Sequence, residues 1–226
     1  MPRSADHLGA DLIMSVETEL LAGRIGGILL ILGAIVMFTG AAIPFLTHLG
    51  GEAWTGLPGE VMSAVARGPG LWRWANGLIA VAALITVLGL AGAVRLFWSD
   101  GPLALAGLAT FVVATGLEIT SRTLNMSVYP WAAAQGKPAA TVVFEGLYEL
   151  SESLIQGFIL IAFVALVLFG IAALQYGAGG LGALLVVFGV IGIFLEIVGA
   201  AIPALVFMGT GALGIWMLAI ARPSGS

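Results

Sequence analysis

The sequence predicts an all-α fold, a polytopic transmembrane helical bundle with six spans. Of the 226 residues, 60% are hydrophobic and only 9% are charged, whereas soluble domains carry about 25% charged residues. The mean hydropathy is +1.12. Several apolar runs also reach the ~20 residues that a helix needs to cross the hydrocarbon core of a bilayer. We therefore expect a multi-pass protein of the cell membrane, in contact with membrane lipids.

Six apolar segments are predicted to be spans, and the last two must be separated from one continuous run. The six are 24–46, 72–97, 102–124, about 145–174, 180–199 and 203–221. The run from Leu181 to Ile220 is too long for one span. We divide it at the GAAIP block, residues 199–203, because proline removes a helical hydrogen-bond donor and crowds the preceding turn.

The remaining segments complete the predicted organisation. Residues 1–23 are either an interfacial amphipathic helix or a solvated extension of the first span. The transmembrane domain covers 24–222, and 223–226 form a short tail. Segments 47–71 and 125–144 are predicted to be long loops. A short helix over 58–66 would be either a lid over a polar site or a surface feature without a ligand role.

The orientation rests on the positions of cations and on loop length. Six spans place both termini on one side of the membrane. Each side carries four cations, so the positive-inside rule discriminates poorly. Arg24, Arg95 and Arg222 lie close to the ends of spans, and long loops more often face outward. We therefore predict cytoplasmic termini. Trp72 and Trp74, at the start of the second span, are interpreted as interfacial anchors.

Glycine spacing predicts which helix faces pack closely. Gly26, Gly33 and Gly40 recur every seven residues in the first span, and Gly182 and Gly189 do so in the fifth. Small residues on one stripe let helices approach closely in lipid. Glu196 is the next position of the second stripe, so we expect its side chain to face other helices.

The first and fifth spans also show an internal similarity. Residues 33–50 align with 192–209 at a constant offset, and both segments contain the block GAAIP. Because both blocks end odd-numbered spans, a true duplication would be a parallel repeat. A chance match between glycine- and alanine-rich membrane segments is the alternative.

The candidate site is built from polar residues that share one depth in the outer part of the bundle. Glu118 and Glu196 lie at similar fractions of the third and fifth spans, and Arg122 follows Glu118 by one helical turn. The predicted ligand-binding residues are Glu118, Arg122, Glu152, Gln156, Glu196, Arg73 and Asn76. Ionisable groups inside a membrane commonly mark functional sites. We therefore expect a polar vestibule that opens outward above an apolar inner half.

Structural roles are the alternative for several of these residues. Glu118 and Arg122 would then form an ion pair that joins helices, and Glu196 would be a protonated carboxyl with one hydrogen bond. Glu145, Glu149 and Glu152, which share a helix face with Gln156, would be a solvated surface. Arg73 would extend to lipid headgroups.

Composition excludes several kinds of chemistry. The chain contains no cysteine, which excludes thiolate catalysis and iron–sulfur clusters. Its two histidines, His7 and His48, fall outside the predicted spans, and its single lysine, Lys137, falls in a predicted loop. We find no catalytic grouping and predict neither a metal site nor a cofactor. The net charge of −4 gives no reason to expect a nucleic-acid partner.

The chain resembles a bacterial family of six-helix membrane proteins of unknown function. The likeness lies in RIGG at 24–27, a long first outer loop, a glycine-rich fifth span and WML at 216–218. It implies a six-helix membrane fold. Because the family has no assigned catalytic residues, it implies no functional residue here. A more distant likeness links the glycine-rich first and last hairpins to small six-helix acid-resistance membrane proteins, from which the long loops depart.

Three functions remain open at this point. The favoured one is a non-enzymatic membrane protein that binds a small or amphiphilic, cationic or polar ligand, or a proton, at an acidic pocket in the outer leaflet. The first alternative is a structural or assembly subunit, which would associate with a membrane protein partner or with copies of itself. The second alternative is an intramembrane lipid-modifying enzyme that uses carboxylates.

Overall fold

The regular structure of the described chain is entirely helical. The structure, a computed structural model, describes residues 5–97, 102–200 and 203–220, with side chains from Thr18 onward. Within these ranges the helices are α1 (Ala5–Leu46), α2 (Glu52–Thr55), α3 (Pro58–Arg67), α4 (Pro69–Leu96), α5 (Leu103–Gln135), α6 (Pro138–Gln175), α7 (Gly179–Ile197) and α8 (Ala204–Ile220). The predicted all-α class is therefore confirmed.

Five of these helices are long and apolar enough to cross a membrane. They are α4, α5, α6, α7 and the part of α1 from Thr18 to Leu46. Helix α8 is apolar as well but shorter, with 17 described residues. Five apolar helices of this length agree with the predicted membrane bundle, and the sixth span stays a prediction. Arg222, which lies close to the end of a predicted span, and the tail 223–226 lie outside the described residues.

The long helices form a closed ring. Helix α4 packs between α1 and α5, and α6 packs between α5 and α7. Helix α8 contacts α7 and packs more extensively against α1, which closes the ring. The short helices α2 and α3, residues 52–67, lie at one end against α5 and α6, and we call them the cap. The cap positions the buried polar residues described below.

Both glycine stripes pack inside the chain. A Cβ atom built on Gly26 would lie 2.9 Å from the carbonyl oxygen of Gly89 on α4. On α7, a Cβ atom at Gly189 would lie 2.8 Å from the carbonyl oxygen of Phe163 on α6. Such separations leave no room for a side chain, so these glycines allow α1 to approach α4 and α7 to approach α6. The predicted role of the stripes in close packing is confirmed.

The predicted loop over 125–144 is wrong, because this segment is almost wholly helical. Helix α5 continues to Gln135 and α6 begins at Pro138. Gly136 makes the turn in the left-handed region, with φ of 60°, where glycine has no steric penalty. The short helix predicted over 58–66 is confirmed as α3, and proline at its first position suits a helix start.

The boundary placed at residues 199–203 falls at a real break between helices. Helix α7 ends at Ile197, Gly199 has a φ of 70°, and α8 begins at Ala204. The matching block at 40–44 lies inside α1 instead, with Pro44 in the helix. The described residues of the second block, 199, 200 and 203, thus differ in conformation from their counterparts in α1, and the parallel repeat gains no support from the structure.

The first helix joins the N-terminal segment to the first predicted span. Helix α1 is continuous from Ala5 to Leu46. The predicted boundary at residue 24 therefore falls within a helix. The side chains of residues 1–17 lie outside those that the structure describes, so the interfacial face of this segment stays a prediction.

The cap is fastened to the end of α1 by polar contacts of Arg67. Its guanidinium forms an ion pair with Glu52 and donates a hydrogen bond of 2.7 Å to the carbonyl oxygen of Leu49. A hydrogen bond from its own backbone and the Arg67 guanidinium lower the pKa of Glu52 from its usual value. The indole of Trp54 donates a hydrogen bond of 3.0 Å to the carbonyl oxygen of Ala41.

We predict that Gly189→Ala destabilises the bundle and that Gly116→Ala does not. The new methyl group at 189 would meet α6 backbone, and such overpacking costs about 1–3 kcal/mol. Gly116 on α5 has no neighbouring atom within 4 Å of its Cβ position. Unfolding in mixed detergent micelles, followed by circular dichroism, measures both free energies. Equal stability of the two variants would contradict the close packing of α6 and α7.

We predict that the cap loosens as the pH falls through the acidic range. Because the pKa of Glu52 is lowered in the folded protein, its ion pair stabilises the cap above the usual glutamate range and is lost on protonation. Hydrogen exchange of the amides of 52–67 should therefore accelerate at low pH. In Glu52→Gln, exchange should already be fast at neutral pH and should change less on acidification. A pH response that is the same in the variant would refute this role.

Candidate functional site

One face of α5 carries the polar side chains that build the candidate site. Thr115, Glu118, Arg122 and Asn125 follow helical spacing and lie on one side of the helix. All four are buried, with Glu118 only 1% and Arg122 8% exposed. Helices α4 and α6 cover this face. The arrangement places two charged groups within the bundle, where each must find partners.

Arg122 finds its partners on two helices. Its Nε and Nη2 atoms both lie 2.9 Å from Oε1 of Glu118. Its Nη1 atom donates a hydrogen bond of 3.1 Å to Oδ1 of Asn76 on α4. The amide of Asn76 in turn donates to the carbonyl oxygen of Trp72 over 3.0 Å. The pair is thus charge-compensated and held by hydrogen bonds, as a buried ion pair requires.

A second set of hydrogen bonds continues toward the cap and joins three helices. Nδ2 of Asn125 donates to Oγ of Ser151 on α6 over 2.7 Å. The hydroxyl groups of Ser121 and Ser151 lie 2.7 Å apart. The indole of Trp72 on α4 donates to the carbonyl oxygen of Asn125 over 2.8 Å. These bonds fix the relative positions of α4, α5 and α6 at the depth of Arg122.

Aromatic rings from the cap and the helices lie above the ion pair. The ring of Trp54 covers the guanidinium of Arg122 at 5.5 Å, within the range of a cation–π interaction. Trp54 also contacts Trp72, with ring centroids 4.9 Å apart. Tyr129 stacks on Trp72 at 6.3 Å, and the Tyr148 hydroxyl donates to the carbonyl oxygen of Gly56 in the cap. The cap is therefore tied directly to the site.

A small cavity lies between the cap and Arg122. Its volume is about 20 Å³, enough for one water-sized group. The lining residues are Ala53, Trp54, Val61, Trp72, Arg122, Asn125, Tyr129, Tyr148, Glu152 and Ile155. The structure thus places a small, partly enclosed cavity beneath the cap, at the position of the expected vestibule.

Two buried polar atoms of α5 have no hydrogen-bond partner within the part of the chain that the structure describes. They are Oε2 of Glu118 and Oγ1 of Thr115, less than one helical turn apart. An unpartnered buried polar atom is costly. Oε2 of Glu118 and Oγ1 of Thr115 are therefore the atoms of this cluster that remain available to a small polar ligand.

The structure brings some of the predicted site residues together and separates others. Asn76, Glu118 and Arg122 are in direct contact, and Glu152 is half-buried at the cavity. Arg73 is exposed, and its Nε atom donates to the carbonyl oxygen of Met126 over 3.1 Å rather than facing the cavity.

Two further residues of the predicted site lie away from this cluster. Gln156 is exposed on α6. Glu196 is half-buried on α7, which packs against α6 and α8, and it lines no part of the cavity. Glu145 and Glu149 are exposed on α6, as a solvated face requires.

Sequence reasoning missed several residues of the site. The interpretation of Trp72 as an interfacial anchor is wrong, because its side chain is 1% exposed and donates a hydrogen bond to α5. Trp74, two residues later, is 69% exposed, as an anchor would be. Ser121 and Ser151 gave no signal on their own, although Ser121 lies at i+3 from Glu118. Trp54 lies in a segment without long helical periodicity.

The site offers no evident metal-binding group. Among the described residues, no three or more histidine, aspartate or glutamate side chains are placed to hold a metal ion. Comparison of the chain with protein-family models, with curated proteins and with solved structures finds no match. The resemblance to a six-helix family therefore rests on the sequence features described above, and functional conclusions must come from the site itself.

We predict that Glu118→Ala destabilises the protein by about 3 kcal/mol or more, because it leaves the buried Arg122 charge without its carboxylate. Glu145→Ala, on an exposed helix face, should change stability by at most about 0.5 kcal/mol. The double variant Glu118→Ala/Arg122→Ala should lose much less than the sum of the two single variants. Unfolding in mixed micelles measures all four proteins. Additive losses would show that the two residues are not coupled.

Proposed function

We propose that the chain is a multi-pass protein of the cell membrane that binds a proton or a small polar or cationic ligand at the capped site around Glu118, Arg122 and Glu152. The observation that carries this proposal is the buried ion pair beside a small, partly enclosed cavity with polar and aromatic lining residues. Charged groups inside a membrane bundle are costly and usually face a functional cavity. Here they lie beside a cavity with a further carboxylate at its edge.

The size of the cavity favours a small ligand. A volume of about 20 Å³ has no room for the acyl chain or the whole headgroup of a lipid. An amphiphilic ligand would have to displace Trp54 and the cap. A proton on a carboxyl or a water-sized group fits the site as it stands, so we favour these over a bulky amphiphile.

The proposed membrane arrangement has six spans and cytoplasmic termini. Helix α8 is apolar throughout its 17 described residues, and Ala221 continues the apolar sequence up to Arg222, which supports a sixth span. With six spans, the cap and both termini would lie on opposite sides. The cap and the site would then face the outside of the cell.

The two alternative functions have less support. The assembly hypothesis drew on the glycine stripes, which in the described chain pack against its own helices. The lipid-modifying hypothesis requires several carboxylates at one site, and of the glutamates in the predicted site only Glu152 lines the cavity. No observation favours either alternative over binding at the capped site.

Infrared difference spectroscopy of the protein in lipid bilayers tests the proton. We expect that stepping the pH downward produces a protonated-carboxyl band that is missing in Glu118→Gln and present in Glu145→Gln, the exposed control. Native mass spectrometry of gently extracted protein, in an ammonium-free buffer, tests a retained ligand. An adduct lost in Glu118→Gln and kept in Glu145→Gln would support ligand binding. The proposal is refuted if the wild-type protein shows neither signal. It is also refuted if Glu118→Gln leaves the signals unchanged.

A further inference from the structure

We infer that the cavity between the cap and Arg122 binds a small ammonium cation, either a free ammonium ion or the primary ammonium group of an amine or lipid headgroup. This inference rests on the proposed function and names the chemical class of its ligand. It depends on the charge balance, the aromatic lining, the hydrogen-bond acceptors and the size of the cavity.

The charges around the cavity leave one carboxylate without compensation. The guanidinium of Arg122 is paired with Glu118 at 2.9 Å. Glu152 lines the same cavity, is half-buried, and makes no hydrogen bond or ion pair with the described residues. One guanidinium and two carboxylates sum to a charge of −1. A monovalent cation beside Glu152 would neutralise the cluster, and its attraction is strengthened by partial burial.

Four aromatic rings form most of the remaining wall. They belong to Trp54, Trp72, Tyr129 and Tyr148. The faces of such rings carry negative electrostatic potential and attract cations, and recognition of ammonium groups is a known use of this lining. Trp54 already covers one cation in this way, the guanidinium of Arg122. A second cation in the cavity would meet the same kind of surface.

The cavity also contains acceptors for N–H groups. The carboxylate of Glu152 is one. Asn125 supplies another, because its side-chain hydrogen bonds to Ser121 and Ser151 are donated by Nδ2, which leaves the amide oxygen as an acceptor. An ammonium group donates hydrogen bonds to such oxygens, whereas a potassium ion of the same charge and similar size donates none. We therefore expect the site to prefer ammonium to potassium.

The size of the cavity sets an upper limit on the ligand. An ammonium group is close to a water molecule in size, and about 20 Å³ admits one such group. A quaternary ammonium group carries four alkyl substituents and no N–H. It would not fit the cavity and could not donate hydrogen bonds to the acceptors. Tetramethylammonium therefore serves as a negative control for both the size and the hydrogen bonding of the ligand.

The test is isothermal titration of the intact protein in phosphatidylcholine nanodiscs with ammonium, methylammonium, potassium and tetramethylammonium chlorides. We expect saturable binding of ammonium, weaker binding of methylammonium because of its additional methyl group, and binding of potassium roughly tenfold weaker than that of ammonium or undetectable, since one charge-assisted hydrogen bond accounts for at least that factor. Glu152→Gln should weaken ammonium binding by about tenfold or more. Glu145→Gln, on the exposed face of the same helix, should bind like the wild-type protein.

Nanodiscs that contain phosphatidylethanolamine separate the two sources of the ligand. If a lipid headgroup occupies the site, added ammonium must compete with it and its apparent affinity falls. If the ligand is a free amine, the lipid composition leaves the affinity unchanged. The inference is overturned if ammonium does not saturate, if potassium binds equally well, or if Glu152→Gln binds ammonium like the wild type. A Glu118 infrared signal that persists in that case would show that only the ligand class is wrong.

Discussion

The buried pairing of Glu118 with Arg122 is the constraint on which the rest of this end of the bundle depends. A guanidinium away from water must be both neutralised and hydrogen-bonded. The carboxylate one helical turn earlier neutralises it, Asn76 takes a further N–H, and Trp54 covers its face. Each partner comes from a different element. The ion pair therefore fixes α4 and the cap relative to α5, and removal of any one element would expose a charge.

Close helix packing makes this arrangement attainable. Glycines 26 and 33 bring α1 against α4, and glycines 182 and 189 bring α7 against α6. Helices α4 and α6, which flank α5, are thus packed closely against α1 and α7 respectively. Inside a membrane, where apolar side chains gain little by leaving lipid, such contacts supply much of the packing energy. A rigid outer pair allows α4, α5 and α6 to hold the short hydrogen bonds of the polar network.

The sequence predicted the helical class, the glycine packing and the core of the polar cluster, because helical periodicity carries all three. The i, i+4 spacing of Glu118 and Arg122 was sufficient to predict that the two side chains form an ion pair. The prediction of a loop over 125–144 was wrong, because we ended each predicted span where it was long enough to cross the hydrocarbon core. Helix α5, at ~1.5 Å per residue, is about 50 Å long and extends well past a 30 Å core. The sequence also did not predict the positions of Trp54 and Trp72, because these positions depend on how the cap folds over the bundle.

The α5–α6 hairpin has a practical consequence for the topology of the chain. Its turn carries Lys137, the single lysine of the sequence, and that side chain is exposed at the cap end. Lys137 is thus the one side-chain amine in the 226-residue sequence. A membrane-impermeant acylating reagent would modify Lys137 only from the compartment that the cap faces. Acylation of Lys137 in intact cells would therefore report which side of the membrane the cap faces, without any engineered tag.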